Sequence, residues 1–412
     1  MSGIKCYSFE NDGNSCVIKT VSPPRYWYNY LWNENGYCAQ VSQTGSGMSY
    51  YITEKAEMCM INNNGDRFLY FRNDDTGDCW NIGESPLLED VENYSCEHSI
   101  AYSVIKSEYR GVQASWRIFV PWDGYNEVWT VTIRNSKQET VNLSLFSAVS
   151  FYLEGFNYPR YYEMYRCCET FFDSELNGVF CLSRHPFAPR ARYNGYIASS
   201  LPVFAYDGNL DEFCGYNGSF QRPETVIKRK DCSNSRTALF TLGGVLQHKI
   251  SLKPSEEIEF QIVFGVSESL DEAVEVCRKY SDPKAVEESL KATSEIYYGK
   301  YASMSVRTPD QKINNIMNNW LKKQVDFCIV GKKGVRDNLQ IAVALMMYRL
   351  EKAKAEIIEV LRHQFRDGHA VLTWYPYDDT RYSDQPFWIV WAVIELIKET
   401  GDYSILDMQV EY

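Results

Sequence analysis

Up to about residue 265, apolar and polar positions alternate with a period of two. In residues 127–134 (EVWTVTIR), Val128, Thr130, Thr132 and Arg134 fall on one face and Trp129, Val131 and Ile133 on the other. Successive side chains of an extended chain point to opposite faces, so this pattern predicts a strand. Residues 141–149 (VNLSLFSAV) and 257–264 (EIEFQIVF) follow the same rule. Turn-forming residues punctuate the runs, as at residues 62–66 (NNNGD) and at Asp123-Gly124. Many short strands at near-regular spacing predict a large antiparallel β-sandwich over residues 1–266.

The period changes near Ser267. Residues 269–280 (SLDEAVEVCRKY) read as a helix with acids in its first turn, where the positive end of the helix dipole favours them. Pro283 ends it, and a second helix runs from about residue 284 to 301, so residues 267–305 read as a helical linker. Residues 306–412 are helical. Thr308-Pro309 supplies an N-cap followed by proline at the first helical position, and Ile313, Ile316, Met317, Trp320 and Leu321 form one apolar stripe. Residues 340–350 and 351–362 form a helical pair. Residues 386–399 (PFWIVWAVIELIKE) are apolar almost all round in their first half, which predicts burial on most faces, as for inner helices of an α/α barrel. Gly401 closes this helix.

Composition narrows the function classes. Lys and Arg number 42 against 54 Asp and Glu, a net charge of −12 that disfavours nucleic acid and anionic membranes as partners. No apolar run is long enough to span a membrane, and the first residues carry no signal-type run. The 13 cysteines are odd in number and lack paired CxxC spacing, which fits reduced thiols in a cytoplasmic protein. Five histidines without an HExxH pattern give no metal site. The 31 Tyr and 10 Trp are flat amphipathic side chains suited to sugars and other polyols.

Two segments carry candidate chemistry. Residues 374–388 (WYPYDDTRYSDQPFW) are dense in aromatics and carboxylates and lead into the apolar helix. Asp384 lies two residues before Pro386. Either Ser383 or Asp384 is simply the cap of that helix, or Asp384 is a general acid, whose pKa the helix N-terminus lowers and apolar burial beside Tyr382, Phe387 and Trp388 raises. Residues 331–340 (GKKGVRDNLQ) are either a solvated basic loop or a sugar site, in which Arg336 and Asp337 hold hydroxyl groups. The phosphate-loop pattern GxxxxGK[ST] is absent. Trp320, Trp374, Tyr375, Tyr377 and Tyr382 are core residues or sugar platforms.

The order of these features resembles glycoside hydrolase family 94, the cellobiose and chitobiose phosphorylase group. Residues 27–31 (WYNYL) and 41–50 (VSQTGSGMSY) are similar to its W-x-N-Y-L and I-S-N-T-x-G-G-Y-S-F. Residues 75–80 (DTGDCW), 213–218 (FCGYNG) with Pro223, and 252–256 (LKPSE) also resemble family sequence. Residues 336–340 (RDNLQ) resemble R-D-x-N-Q-D, residues 383–388 (SDQPFW) resemble N-D-D-P-L-W, and residues 399–406 (ETGDYSIL) are similar to the family's continuation. The resemblance covers essentially the whole chain. There are departures: Gln385 stands for the second Asp of N-D-D, Leu339 for the Asn and Ile341 for the last Asp of R-D-x-N-Q-D. The stretch before R-D is shortened to residues 331–334, and the arginine-rich strand near the N-terminus is missing.

The resemblance implies a β-sandwich, a helical linker and an (α/α)6 barrel. It implies inverting phosphorolysis of a β-glucoside to α-glucose 1-phosphate, with inorganic phosphate as co-substrate and no cofactor. Asp384 matches the general acid. Arg336 and Asp337 match residues that hold the glucosyl unit, with Gln340, Tyr382 and Trp374 around them. Arg166 approximates an arginine on a sandwich loop that reaches a neighbouring active site, which implies an oligomer. Family members continue well beyond the point matching Tyr412. Residues 306–412 therefore read as roughly half of a barrel, either truncated or completed by a complementary C-terminal-half polypeptide. Two other readings stay open: a non-catalytic carbohydrate-binding or scaffolding subunit, and a hydrolase with Asp337, Asp378 or Asp379 as base.

Overall fold

The computed structural model describes residues 6–52, 58–62, 65–155, 168–183, 193–238, 241–330, 334–375 and 377–411. The chain divides into two compact units. One comprises Met1–Asn11, Ser15–Tyr51 and Cys59–Ser294; the other is Glu295–Tyr412 with the short pieces Asp12–Asn14 and Ile52–Met58.

The first unit is built of antiparallel sheets. A ten-stranded sheet runs in the order Tyr7–Glu10, Ser15–Ile18, Glu92–Ser99, Tyr102–Tyr109, Val112–Phe119, Asn126–Asn135, Glu257–Ser267, Asn194–Ser199, Gly178–Ser183, Cys168–Asp173. Two five-stranded sheets accompany it, one centred on Val141–Ser150 and the other on Ser49–Ile52. Their inward residues form one large core that includes Trp80, Trp116, Trp129, Leu145 and Phe264. The predicted alternation holds in the second half of Asn126–Asn135, where Ile133 is buried and Arg134 exposed. In the first half both faces are buried, because Val128 packs under helices.

Those helices are α1 (Leu270–Tyr280) and the start of α2 (Pro283–Ala302). Ala273, Cys277, Tyr280, Val286 and Leu290 cover Phe119, Val128, Phe180 and Val263. Ser269 caps α1 by accepting from the Glu272 amide at 3.2 Å, while the Glu272 carboxylate accepts from the Glu268 amide at 3.0 Å. This reciprocal arrangement satisfies amides that the helix leaves open. The glycine-rich stretch 41–50 proves architectural. Gly45 has φ +86° and a Cβ there would strike the Trp116 ring; at Gly47 a Cβ would strike the Gln40 carbonyl.

In the second unit, Gln311–Asn315, a π-turn at Ile316–Trp320 and α3 (Leu321–Ile329) run on as one helix. Three further helices follow: α4 (Val335–Leu345), α5 (Leu350–Leu361) and α6 (Gln385–Thr400). Two expectations are corrected here. The cap before the first helix is Asp310, accepting from the Lys312 amide at 2.8 Å, rather than Thr308. The stripe of Ile313, Ile316 and Leu321 faces solvent, and the buried side is polar. Buried Asn314 and half-buried Asn318 instead hold the incoming segment, each bonding both the amide and the carbonyl of Thr308 and Val306 respectively.

Helix α6 buries Gln385, Ile389, Ala392 and Leu396. Phe387 is 75 % exposed and Val390 57 %, and Trp391 and Ile394 are also exposed, so this helix is not buried on most faces. Gly401 closes it in the left-handed conformation, φ 67°, as its position predicts. No disulfide joins any two of the twelve cysteines among the described residues. No helix among them is long and apolar enough to cross a membrane.

Candidate functional site

Helix α4 starts at Val335, five residues before the apolar pattern suggests, so Arg336 and Asp337 occupy its first turn. Its start is pinned from two sides. The Val335 amide donates to the Leu372 carbonyl at 3.3 Å, and Gly334 bridges to Thr373 on the short hairpin Thr373–Trp374/Tyr377–Asp378. Asn338 accepts from the Gly334 amide at 3.1 Å and donates to Glu356 of α5 at 3.0 Å. Arg336 and Gln340, four residues apart and both exposed, lie on one face of α4.

The opposite wall is the start of α6. Asp384 sits at the N-cap position, yet its carboxylate makes no capping bond; the residue is helical, with φ −87° and ψ −18°. The capping reading is therefore set aside. The carboxylate turns to two other donors. Arg336 Nη2 lies 2.6 Å from Asp384 Oδ2, and the Trp388 indole Nε1–H donates to the same oxygen at 3.1 Å. Both ion-pair partners are nearly half exposed, 44 % and 45 %. The Trp388 donor and the Arg336 charge outweigh the raising effect of partial burial and hold the Asp384 carboxyl below the ordinary carboxylate value.

The other predicted residues fall around this pair in different ways. Trp374, on the hairpin, lies face to face with His363 at 4.5 Å and 8°, so one ring face is covered. Glu359 holds the His363 ring at 3.3 Å. Tyr382 is exposed just before Asp384. Arg381 pairs with Asp367 at 2.8 Å and covers the Phe365 ring, which braces the loop between α5 and α6. Trp320 is structural, donating to the Gly13 carbonyl at 2.9 Å. Asp378 accepts from the Thr380 amide at 2.9 Å within its own turn. Arg166 lies outside the described residues. No group of three or more His, Cys, Asp or Glu among the described residues is placed to hold a metal ion.

One residue of the site has a property the sequence did not reveal. Gln385 is 1 % exposed, and neither end of its amide has a partner among the described residues. The available signal was its position, a polar side chain on the i, i+4, i+7 stripe with Ile389 and Ala392.

The chain is thus a β-sheet unit followed by a unit of paired helices with an arginine–carboxylate pair at two helix ends. The chain belongs to glycoside hydrolase family 94. Residues 14–283 match the family description "Glycosyl hydrolase 94, supersandwich domain", and residues 297–412 match "Glycosyl hydrolase 94 superfamily, catalytic domain". Among relatives, solabiose phosphorylase of Paenibacillus borealis is 32% identical over 419 residues, covering 98% of this chain and 54% of that protein. The 3-O-beta-D-glucopyranosyl-beta-D-glucuronide phosphorylase of the same organism is 28% identical over 428 residues, covering 98% and 53%. The chain thus spans about half the length of the curated relatives it matches. A solved structure from the human microbiome, assigned as a kojibiose phosphorylase, shares the fold with a TM-score of 0.56 at 12% identity, covering 97% of this chain and 58% of that one.

Proposed function

We propose that this chain carries the acid-bearing half of an inverting phosphorylase that cleaves a β-linked glucosyl disaccharide with phosphate. The observation that carries this reading is the Arg336–Asp384 pair at facing helix ends of the catalytic-domain match. Relatives over 98% of the chain are phosphorylases, and the name of one specifies a β-D-glucopyranosyl group.

In phosphorolysis, Asp384 gives its proton to the glycosidic oxygen as the bond to the anomeric carbon breaks. A phosphate oxygen attacks that carbon from the opposite face, forming the sugar 1-phosphate. The released alcohol keeps the proton, and the carboxylate regains one from the monoester or from solvent. Phosphate is the nucleophile, so no second carboxylate is needed to activate water. Ionised Asp384, held by Arg336 and Trp388, suits the reverse direction, in which it takes the proton of the acceptor hydroxyl. For phosphorolysis, sugar hydroxyls drawing Arg336 away favour the protonated acid. Arg336, Asp337 and Gln340 are the groups to hold the glucosyl unit, with Tyr382, Trp374 and Arg166 shaping the site.

Activity requires the remainder of the barrel, as a continuation or a second chain. It would cover two apolar faces that stand exposed: Phe387, Val390, Trp391 and Ile394 on α6, and Ile313, Ile316 and Leu321 before it. The test is phosphate release from α-glucose 1-phosphate with glucose, glucuronate or N-acetylglucosamine acceptors, with and without a complementing C-terminal half. Activity only with the complement supports the reading. Oligosaccharide binding without turnover in the complemented protein supports the scaffolding reading instead.

A further inference from the structure

A carboxylate at a helix N-cap ordinarily accepts from the amides of the first turn. Asp384 occupies that position and does not. Its side-chain donors come from elsewhere and converge on one oxygen. Arg336 Nη2 and Trp388 Nε1 both reach Oδ2, at 2.6 Å and 3.1 Å, while Oδ1 takes no side-chain donor among the described residues. Trp388 lies one turn along α6 from Asp384, so its indole N–H is delivered by helical spacing alone. Trp391, a further three residues on, packs edge-on against the Trp388 ring at 5.3 Å and 86° and fixes its tilt.

We infer that Trp388 is a positioning residue for Asp384: it holds Oδ2 and turns Oδ1 outward as the oxygen that exchanges the catalytic proton. This rests on the reading of Asp384 as the acid. A protonated carboxyl has one hydroxyl oxygen and one carbonyl-type oxygen. With the proton on Oδ1, Oδ2 is the acceptor, and neither the Trp388 nor the Arg336 bond has to break. When the proton passes from Oδ1 to the glycosidic oxygen, negative charge develops on the carboxylate. The two donors are already in place to stabilise it without reorganisation, the feature that makes preorganised donors effective. In the synthetic direction the same oxygen takes the acceptor's proton. Arg336 is half exposed and can be drawn away by a sugar. The Trp388 bond is built into the helix and stays.

The NMR part of the test uses the ¹⁵N-labelled chain and two variants. The Trp388 indole signal is identified by its loss in Trp388→Phe. The indole proton should lie downfield in the wild type and move upfield in Asp384→Ala, with circular dichroism unchanged. An indole signal that ignores Asp384→Ala overturns the inference, whatever the activity. In the complemented enzyme, Trp388→Phe should lower kcat about tenfold. It should leave KM for α-glucose 1-phosphate unchanged and move the acid limb of the rate–pH profile upward, and Trp388→His, which restores a ring N–H, should recover some of the loss. A wild-type pH profile in Trp388→Phe also overturns it. If instead Asp384→Asn keeps full activity while the indole signal still follows Asp384, the acid reading fails and the hydrogen bond stands.

Discussion

Arg336 on α4 and Asp384 at the start of α6 are joined by a 2.6 Å contact between Nη2 and Oδ2, although they stand 48 positions apart in the sequence. The pair ties the two helix ends that form the candidate site, and with the Trp388 donor it holds the carboxyl of the proposed acid below its ordinary value. Neutralising the arginine should release the carboxyl. In Arg336→Gln, the Asp384 carboxyl titration, followed by ¹³C NMR, should move up towards the ordinary value near 4. Downward is the wrong sign, because removing a neighbouring positive charge can only favour the neutral form. An unchanged midpoint would mean that the ion pair does not form in solution.

The orphaned amide of Gln385 gives a prediction of opposite sense to most core substitutions. A buried polar group without a partner costs about 1–3 kcal/mol, whereas an apolar side chain of similar shape does not carry that cost. Gln385→Leu should therefore leave stability unchanged or raise it by about 1 kcal/mol, as read from urea unfolding. A clear loss would show that the amide has a partner.

In the sandwich, Arg67 and Glu127 are fully buried and paired at 2.7 Å. Ser49 and the Trp129 indole donate to the same carboxylate at 3.0 Å and 2.8 Å. Removing one partner strands the other charge, so Glu127→Ala should cost about 3–5 kcal/mol. Replacing both with Met should cost less than the sum of the two single losses. Strict additivity in the double-mutant cycle would contradict the pairing.

His248 is fully buried, within 3.0 Å of the Pro202 carbonyl through Nδ1, and burial lowers its pKa to about 4. In the unfolded chain the ordinary value is near 6.5. The unfolded state therefore takes up a proton first as pH falls. Stability attributable to this histidine is complete above about pH 6.5 and is lost progressively down to about pH 4, by about 3 kcal/mol in all. His248→Gln should flatten the stability–pH curve in that window. A slope equal to the wild type's would contradict the assignment.

Much of the fold was legible because strand and helix periods differ. The alternation through Trp129, Val131 and Ile133 and the shift to helix near Ser267 rest on local geometry. Two of the corrected features show what periodicity leaves out. The stripe of Ile313, Ile316 and Leu321 has helical period, but period alone does not say which face is covered; Asn314 and Asn318 turn inward to bond the segment at Val306 and Thr308. Helix α6 is apolar nearly all round, yet only its Gln385–Ile389–Ala392–Leu396 stripe is covered. Within the site, the family motifs named Arg336 and Asp384, but not that they touch. That contact accompanies the pinning of α4 to the Leu372–Thr373 segment, a tertiary relation with no local signature. The Trp388 donor follows from i, i+4 spacing and was readable once Asp384 was placed before the helix.

The most direct measurement is phosphate release from α-glucose 1-phosphate and a sugar acceptor by the complemented enzyme, comparing wild type with Asp384→Asn. Acid–base catalysis of this kind contributes about 10²–10⁴-fold. Asp384→Asn should therefore lose at least about a hundredfold in kcat, with the fold intact and KM for the sugar phosphate little changed. Wild-type turnover by Asp384→Asn would contradict the assignment of Asp384 as the group that moves the proton.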